Sequence, residues 1–260
     1  MILTYAIIFL TGIGVSFIST LFGLGGGILM VPILSLILPY SHLEAIATSL
    51  ATITLVAGFN TYNFNRKGVI VWKIVPWIAV SSSLFAFLSA RASIYIPEKT
   101  LVVIFLIFLL WVGLRTFLLS DAEGEKGYKR VRKWVPMGIG ALSGSLSGLT
   151  GIGGGGITTP LTLITGLVRN IQAAPTSNAI MIFTALCASL SFAFVSPETN
   201  MKFTLGYIHL DTALLLFFGS AFFSRIGVLI NQNFSLFWRK TVLGSILLFI
   251  CLRLSLMIFN

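Results

Sequence analysis

Gly23-Leu24-Gly25-Gly26-Gly27 returns as Gly151-Ile152-Gly153-Gly154-Gly155, and Pro32 returns as Pro160, every pair 128 positions apart. Both glycine runs interrupt long apolar stretches. Each glycine costs a helix interior about 1 kcal/mol relative to Ala, so three or four together stop a helix. In hydrocarbon such a break persists only where other protein covers it or where it lines a cavity. A break at matching places in two halves is the best sequence pointer to the binding site of a transporter.

Composition agrees with a membrane setting. The 260 residues are 57 % hydrophobic and 9 % charged, whereas soluble domains carry about 25 % charged residues. Spans of about 20 residues account for most of the length and leave no room for a soluble domain. The formal charge of +10 has no polar domain on which to form a nucleic-acid patch, and the excess of Lys and Arg in cytoplasmic loops explains it. The N-terminus lacks a basic n-region and reads as a first span rather than a signal peptide. Cys187 and Cys251 lie in apolar segments and read as small buried residues.

The expected fold is an all-α polytopic membrane protein of two inverted repeats. Residues 1–119 form the first repeat, 120–133 a polar cytoplasmic connecting loop and 134–260 the second repeat. Gly12 matches Gly140, Ala45 matches Ala173, Thr48-Ser49 matches Thr176-Ser177 and Ala51 matches Ala179. Later the offset drifts: Gly68-Val69-Ile70 resembles Gly206-Tyr207-Ile208, and Ala90-Arg91 resembles Ser224-Arg225. The first helix of each half carries small residues every fourth position, Gly12, Ser16 and Thr20 against Gly140, Gly144 and Gly148. That spacing lets membrane helices approach closely, and helix packing is its expected role.

Segment 3–38 would span about 54 Å as one helix, too long for a single crossing, while 28–38 covers only about 16 Å, half a membrane. Either the chain turns back at the glycines as a re-entrant segment, followed by three further spans in each repeat, or one long kinked helix gives eight ordinary spans. The re-entrant arrangement segregates basic residues 13 to 4 across the membrane and the simple one 11 to 6. The positive-inside rule therefore favours re-entry, with the basic loops cytoplasmic in a cell membrane.

New helices are expected at Ile28 and about Ile157, with Pro32 and Pro160 in or just past the first turn, where a missing N–H costs least. Helix N-termini present unpaired N–H groups and partial positive charge, and glycine lets an anion reach that backbone. Gly25, Gly26, Gly27, Gly153, Gly154 and Gly155 are thus candidate ligands for a small anion, the alternative being tight packing alone. Thr48, Ser49, Thr176, Ser177 and Asn178 follow the breaks at equal distances and can complete the coordination of oxyanion oxygens. Interhelical hydrogen bonding and helix capping are their plain alternatives.

Arg91 and Arg225 read as interfacial snorkelling residues or as an anion-attracting gate. His42-Leu43-Glu44 and His209-Leu210-Asp211 look alike without being repeat-equivalent, which leaves proton coupling open. Asn60 and Asn63 read as helix-end polar residues. Gly151 to Gly156 satisfies G-x-G-x-x-G, but that fingerprint has meaning only inside a βαβ unit. No H-E-x-x-H, C-x-x-C or nucleophile elbow occurs, so no enzyme, metal or cofactor is expected.

The stretches Leu21 to Gly27 with Val31-Pro32, Gly148 to Gly155 with Thr159-Pro160, Ala47-Thr48-Ser49, and Asn63 to Trp72 resemble the TauE/SafE family of sulfite exporters. The resemblance covers nearly the whole chain. It implies a prokaryotic-type permease for small sulfur-containing anions such as sulfite or organosulfonates. Pro175 stands where the first half has Ala47, and Ser196 to Leu205 is an extra polar stretch, so the half-sites are expected to be unequal. The expected function is secondary transport of such an anion by alternating access around the two breaks. The alternatives are a carrier or channel for another small solute such as a carboxylate, and a membrane scaffold. The expected partners are a small anion and the lipid bilayer, with no nucleic acid; self-association stays open.

Overall fold

A computed structural model describes residues 2–22, 26–38, 40–118, 132–195, 203–231 and 236–259. The first half contains α1 (Ile2–Phe22), α2 (Gly27–Ile37), α3 (His42–Asn65), α4 (Val75–Ser93) and α5 (Glu98–Leu118). The second contains α6 (Trp134–Thr150), α7 (Gly155–Ile164), α8 (Asn170–Ala193), a two-stranded hairpin of β1 (Thr204–Leu205) and β2 (Ile208–His209), α9 (Leu210–Asn231) and α10 (Leu236–Phe259). Among the described residues, α3, α4 and α8 are each long and apolar enough to cross a membrane. The outward surface is correspondingly apolar, with Leu10, Val80, Leu88, Ile107 and Phe249 exposed. The molecule is a helical membrane protein.

The glycine runs do stop the helices. α2 and α7 have 11 and 10 residues, about 16 and 15 Å, half the thickness of a bilayer core. Their N-caps are Gly26 (φ 69°) and Gly154 (φ 83°), 128 positions apart. Both backbones sit at positive φ, where a Cβ is strained and glycine is not. Both helices begin slightly earlier than their apolar patterns suggest, at Gly27 and Gly155. Pro32 and Pro160 consequently lie a turn and a half inside, beyond the first turn. Each missing N–H leaves a carbonyl four residues earlier without its helical donor, at Ile28 and Gly156.

The small-residue faces make the closest helix contacts. α6 runs along α4, and α1 runs along α9. A Cβ added at Gly140 would lie 2.5 Å from the Ile78 carbonyl oxygen, and one at Gly12 would lie 2.7 Å from that of Leu216. Gly144 similarly abuts the backbone of Ser82. Ser16 Oγ donates to the Ser220 carbonyl at 2.7 Å. Ile78 and Ser82 stand 138 positions before Leu216 and Ser220, so the first helix of each half docks on the corresponding helix of the other half. α3 and α8 pack against each other at the centre.

One apolar core gathers α2, α3, α5 and the second break, with Val31, Ile46, Leu50, Phe105, Leu109 and Ile152 nearly or wholly buried. A smaller one joins α4 and α8 through Ile78, Ala179 and Ile180. Cys187 and Cys251 are free and only half-buried, a correction to their expected burial. The hairpin is the one element of regular structure other than α-helix among the described residues. It turns at Gly206 (φ 58°), whose position leaves no room for a Cβ beneath the Phe192 carbonyl.

Two glycines on one helix test the close-approach account. Gly144→Ala should lower the thermal midpoint of the purified protein, by about 1–3 kcal/mol of overpacking. Gly138→Ala, where nothing lies within 4 Å, should leave the midpoint unchanged or raise it.

Candidate functional site

The two half-helices meet at their N-terminal ends. A Cβ added at Gly27 would lie 2.7 Å from the Ile152 Cα, and one at Gly156 would lie 3.3 Å from Ile28 Cδ1. Leu29 and Met30 both donate to the Gly26 carbonyl at 3.1 Å; Ile157 and Thr158 donate to that of Gly154 at 3.1 and 2.9 Å. The N–H groups of Gly27, Ile28, Gly155 and Gly156 precede these first intrahelical bonds and have no partner within their own helices. Two positive helix ends therefore share one buried region. Gly25 lies outside the described residues.

The turn that leads into α7 is nearly filled. Gly151 (φ 74°) presses on Val31 and Ile46, and Gly153 (φ 78°) presses on Ile53. Gly154 has more room: an added Cβ would meet nothing nearer than the Ser143 carbonyl oxygen at 3.5 Å and Thr184 Cγ2 at 3.6 Å. Ser49 Oγ donates across the halves to the Gly151 carbonyl at 3.0 Å. Its repeat partner, Ser177, is 2 % exposed and its Oγ has no hydrogen-bond partner. Ser147, on α6 beside the same break, is 1 % exposed and likewise unpartnered at Oγ. An unpaired buried hydroxyl is destabilising unless something else engages it.

Five buried polar residues of the second half have apolar counterparts in the first. Ser143, Thr158, Thr162, Asn178 and Thr184 are buried. Their counterparts 128 positions earlier are Val15, Met30, Leu34, Leu50 and Val56. Thr184 Oγ1 lies 2.6 Å from Ser82 Oγ, and Thr158 Oγ1 donates to the Gly154 carbonyl at 3.0 Å. Ser143, Thr158 and Thr184 thus place hydroxyls about the α7 end at positions where the first half has hydrocarbon.

Thr48 and Thr176 make a reciprocal pair of bonds. Thr48 Oγ1 accepts the His209 N–H at 3.1 Å, and Thr176 Oγ1 accepts the Val71 N–H at 3.1 Å. Gly68-Val69-Ile70-Val71 and Gly206-Tyr207-Ile208-His209 are the matching segments of the two halves. Each threonine therefore clasps the segment ahead of the other half's fourth main helix. Asn178 Nδ2 donates to the Ala174 carbonyl at 2.8 Å, and its Oδ1 receives Asn60 Nδ2 at 3.3 Å. Asn60 is thereby an interhelical residue in addition to lying near a helix end. Arg91 is exposed in the last turn of α4, and the Arg225 side chain lies outside the described residues. The clasps joining positions 48 to 209 and 176 to 71 were not evident beforehand; the Gly-x-Ile match was their only sequence trace.

Half-length helices whose N-terminal ends meet inside an apolar helical bundle are the arrangement on which membrane transporters build binding sites. The chain belongs to the sulfite exporter TauE/SafE family, whose pattern covers residues 8–254. It is 26 % identical over 253 residues to a probable membrane transporter protein of Methanocaldococcus jannaschii, covering 95 % of this chain and 93 % of that one. A probable membrane transporter protein of Haemophilus influenzae is 29 % identical over 245 residues, 85 % of each chain. The probable membrane transporter protein YunE of Bacillus subtilis is 24 % identical over 255 residues, 89 % of this chain and 90 % of that one. No solved structure matches.

Conservative replacements test the clasps. Thr176→Val and Thr48→Val each orphan a buried backbone N–H and should destabilise the fold by about 1–3 kcal/mol. Thr→Ser at either position should restore most of it. Hydrogen exchange at the Val71 and His209 amides, accelerated only in the Val variants, would read the loss directly.

Proposed function

We propose that the protein is a secondary transporter for a small anion, a sulfur oxyanion or organosulfonate such as sulfite. The single observation that carries the proposal is the approach of the α2 and α7 N-terminal ends, with Gly27 against Ile152 of the turn ahead of α7 and Gly156 against Ile28. Two helix N-termini in one low-dielectric region create a positive potential with backbone donors aimed into it. An oxyanion is the ligand that satisfies both. Gly26, Gly27, Gly154 and Gly155 supply the backbone approach, and Ser147 and Ser177 supply hydroxyls with no other partner. Gly153 shapes the turn that leads into α7.

In the proposed architecture α1–α2 and α6–α7 are re-entrant, and the two halves are inverted with respect to the membrane. The 13 to 4 segregation of basic residues supports this, as does the reciprocal docking of α1 on α9 and α6 on α4. Inverted halves around a mid-membrane site are a common basis of alternating access. The basic loops then face the cytoplasm and the protein sits in the cell membrane. The family name supports sulfite as the cargo class.

Uptake by proteoliposomes of sulfite, thiosulfate, a small sulfonate and acetate tests the proposal. Saturable movement of the sulfur anions is expected, abolished in Gly154→Leu and reduced about tenfold in Ser147→Ala and Ser177→Ala, in keeping with the loss of one hydrogen bond to a charged group. Equal movement of acetate would discard the sulfur assignment and keep the carrier. Absence of any saturable anion flux would overturn the function.

A further inference from the structure

The clasp that Thr48 and Thr176 make in the two halves is chemically different at its two occurrences. Thr48 is one turn beyond Glu44 on α3, and Thr176 is one turn beyond Gln172 on α8. The amides they hold belong to His209 and Val71. Glu44 and Gln172 play the same local role: Glu44 Oε2 accepts the Ser41 N–H at 2.8 Å, and Gln172 Oε1 accepts the Arg169 N–H at 3.2 Å. One clasp thus carries Gln172 and Val71 at the corresponding positions, neither of which titrates. The other pairs a carboxylate with an imidazole.

That second clasp is built for one proton. His209 Nε2 lies 3.4 Å from Glu44 Oε1, with the two side chains 5 % and 13 % exposed. No hydrogen bond forms at this geometry, and Nε2 is buried without a partner. A proton on Nε2 would point a charged donor at a carboxylate whose other oxygen is already fixed by Ser41. The imidazole cannot turn away freely, because Tyr40 stacks on it with ring centroids 4.0 Å apart. Tyr40 is itself tied by its hydroxyl to Thr212 Oγ1 at 2.7 Å, on α9.

The groups around the pair are few among the described residues. Burial raises the Tyr40 phenol above its ordinary range, which keeps it protonated. Asp211, at the start of α9, has Oδ1 occupied by the Thr212 N–H at 2.7 Å. On α3, His42 stands two residues from Glu44 with its ring edge-on to Phe105. Glu98 of α5 accepts the His42 N–H at 2.6 Å. Tyr5 of α1 is near enough to influence Tyr40. Histidine is the side chain whose ordinary titration falls at physiological pH, and His209 alone of these groups faces a carboxylate across the two halves.

We propose that Glu44 and His209 form a proton-binding site that closes one gate of the transporter. A hydronium ion gives its proton to His209 Nε2 and leaves as water, and the resulting imidazolium pairs with Glu44 Oε1, locking the β2–α9 segment onto α3. No other bond is made or broken. The placement of the gate rests on the inverted arrangement proposed above: the Val71 clasp adjoins the basic 64–73 loop on the cytoplasmic face, and the His209 clasp lies on the opposite, external face. The external gate then closes on a proton while the cytoplasmic gate has no response, so anion movement is tied to the external proton concentration.

The test has a reading that needs no cargo. With Cys187 and Cys251 replaced by Ala, Ile208→Cys places a thiol in the clasp, where Ile208 is 3 % exposed. Maleimide labelling of this protein is compared in His209 and His209→Gln backgrounds across about pH 5 to 8. The ratio of the two rates cancels the ionisation of the thiol. Protection by His209 at the acid end by about tenfold, a value set by one charge-assisted hydrogen bond, and its disappearance in Glu44→Gln are expected. A ratio that stays constant with pH, or that follows His42→Gln instead, would overturn the proton site.

In cells loaded with labelled sulfite, efflux should depend on external pH in the wild type and lose that dependence in His209→Gln while persisting. Saturable flux with an unchanged pH dependence in His209→Gln would overturn the coupling and leave the transporter standing. Absence of flux, with the labelling ratio as expected, would overturn the cargo assignment and leave the proton site.

Discussion

Everything in this molecule depends on how backbone that is not helical can be kept inside an apolar bundle. Hydrocarbon offers no partners to a free N–H or C=O, so two glycine turns are tolerable only if protein covers them. Here each half shields the break of the other. Val31 and Ile46 of the first half press on Gly151, and Ser49 caps its carbonyl at 3.0 Å. Ile152 of the second half seats against Gly27. Residues of the same half, Ile53 at Gly27 and Ser143 and Thr184 at Gly154, complete the cover.

The same constraint brings two helix N-termini together. Each end carries about half a positive charge, and proximity in low dielectric makes that unfavourable unless dipoles or an anion answer it. The buried hydroxyls near α7 supply some of the answer. Thr158 and Thr184 spend their protons on the helix carbonyls of Gly154 and Ile180, so their oxygens carry the local negative end of a bond. Ser147 and Ser177 spend theirs on nothing in the protein. An anion in this region would relieve both helix ends and both serines with no buried cationic side chain, whose desolvation would be far more expensive.

Much of this was legible in the chain because the signals are local. Glycine runs stop helices whatever surrounds them, and Gly26 and Gly154 sit at the cap positions to which the repeat points. The four-residue spacing of Gly140, Gly144 and Gly148 announced a close helix contact, and α4 provides it. Pro32 and Pro160 sit slightly deeper than the apolar patterns predict because the first turn begins at the last glycines, residues whose helix propensity argues against it. The clasps were opaque for another reason. They join residues 161 and 105 positions apart, and the offset between halves has shifted from 128 to 138 before they are reached. The short β1–β2 hairpin that delivers His209 has no alternating pattern long enough to read.

The divergence of the halves is itself informative. Positions that hold backbone have stayed alike: Gly12 and Gly140 at the helix crossings, Gly26 and Gly154 at the caps, Thr48 and Thr176 at the clasps. Positions that set polarity differ, with Val15 facing Ser143 in the comparison, Val56 facing Thr184, Gln172 facing Glu44 and Val71 facing His209. A scaffold made of two like halves needs the first set to close on itself, and any change there would orphan a backbone group or separate two helices. The second set is free of that demand. A carrier with two chemically identical gates would respond alike to both sides of a membrane. With hydroxyls near one helix end and a carboxylate–imidazole pair at one clasp, the two halves are chemically distinguishable while the backbone framework they share stays intact.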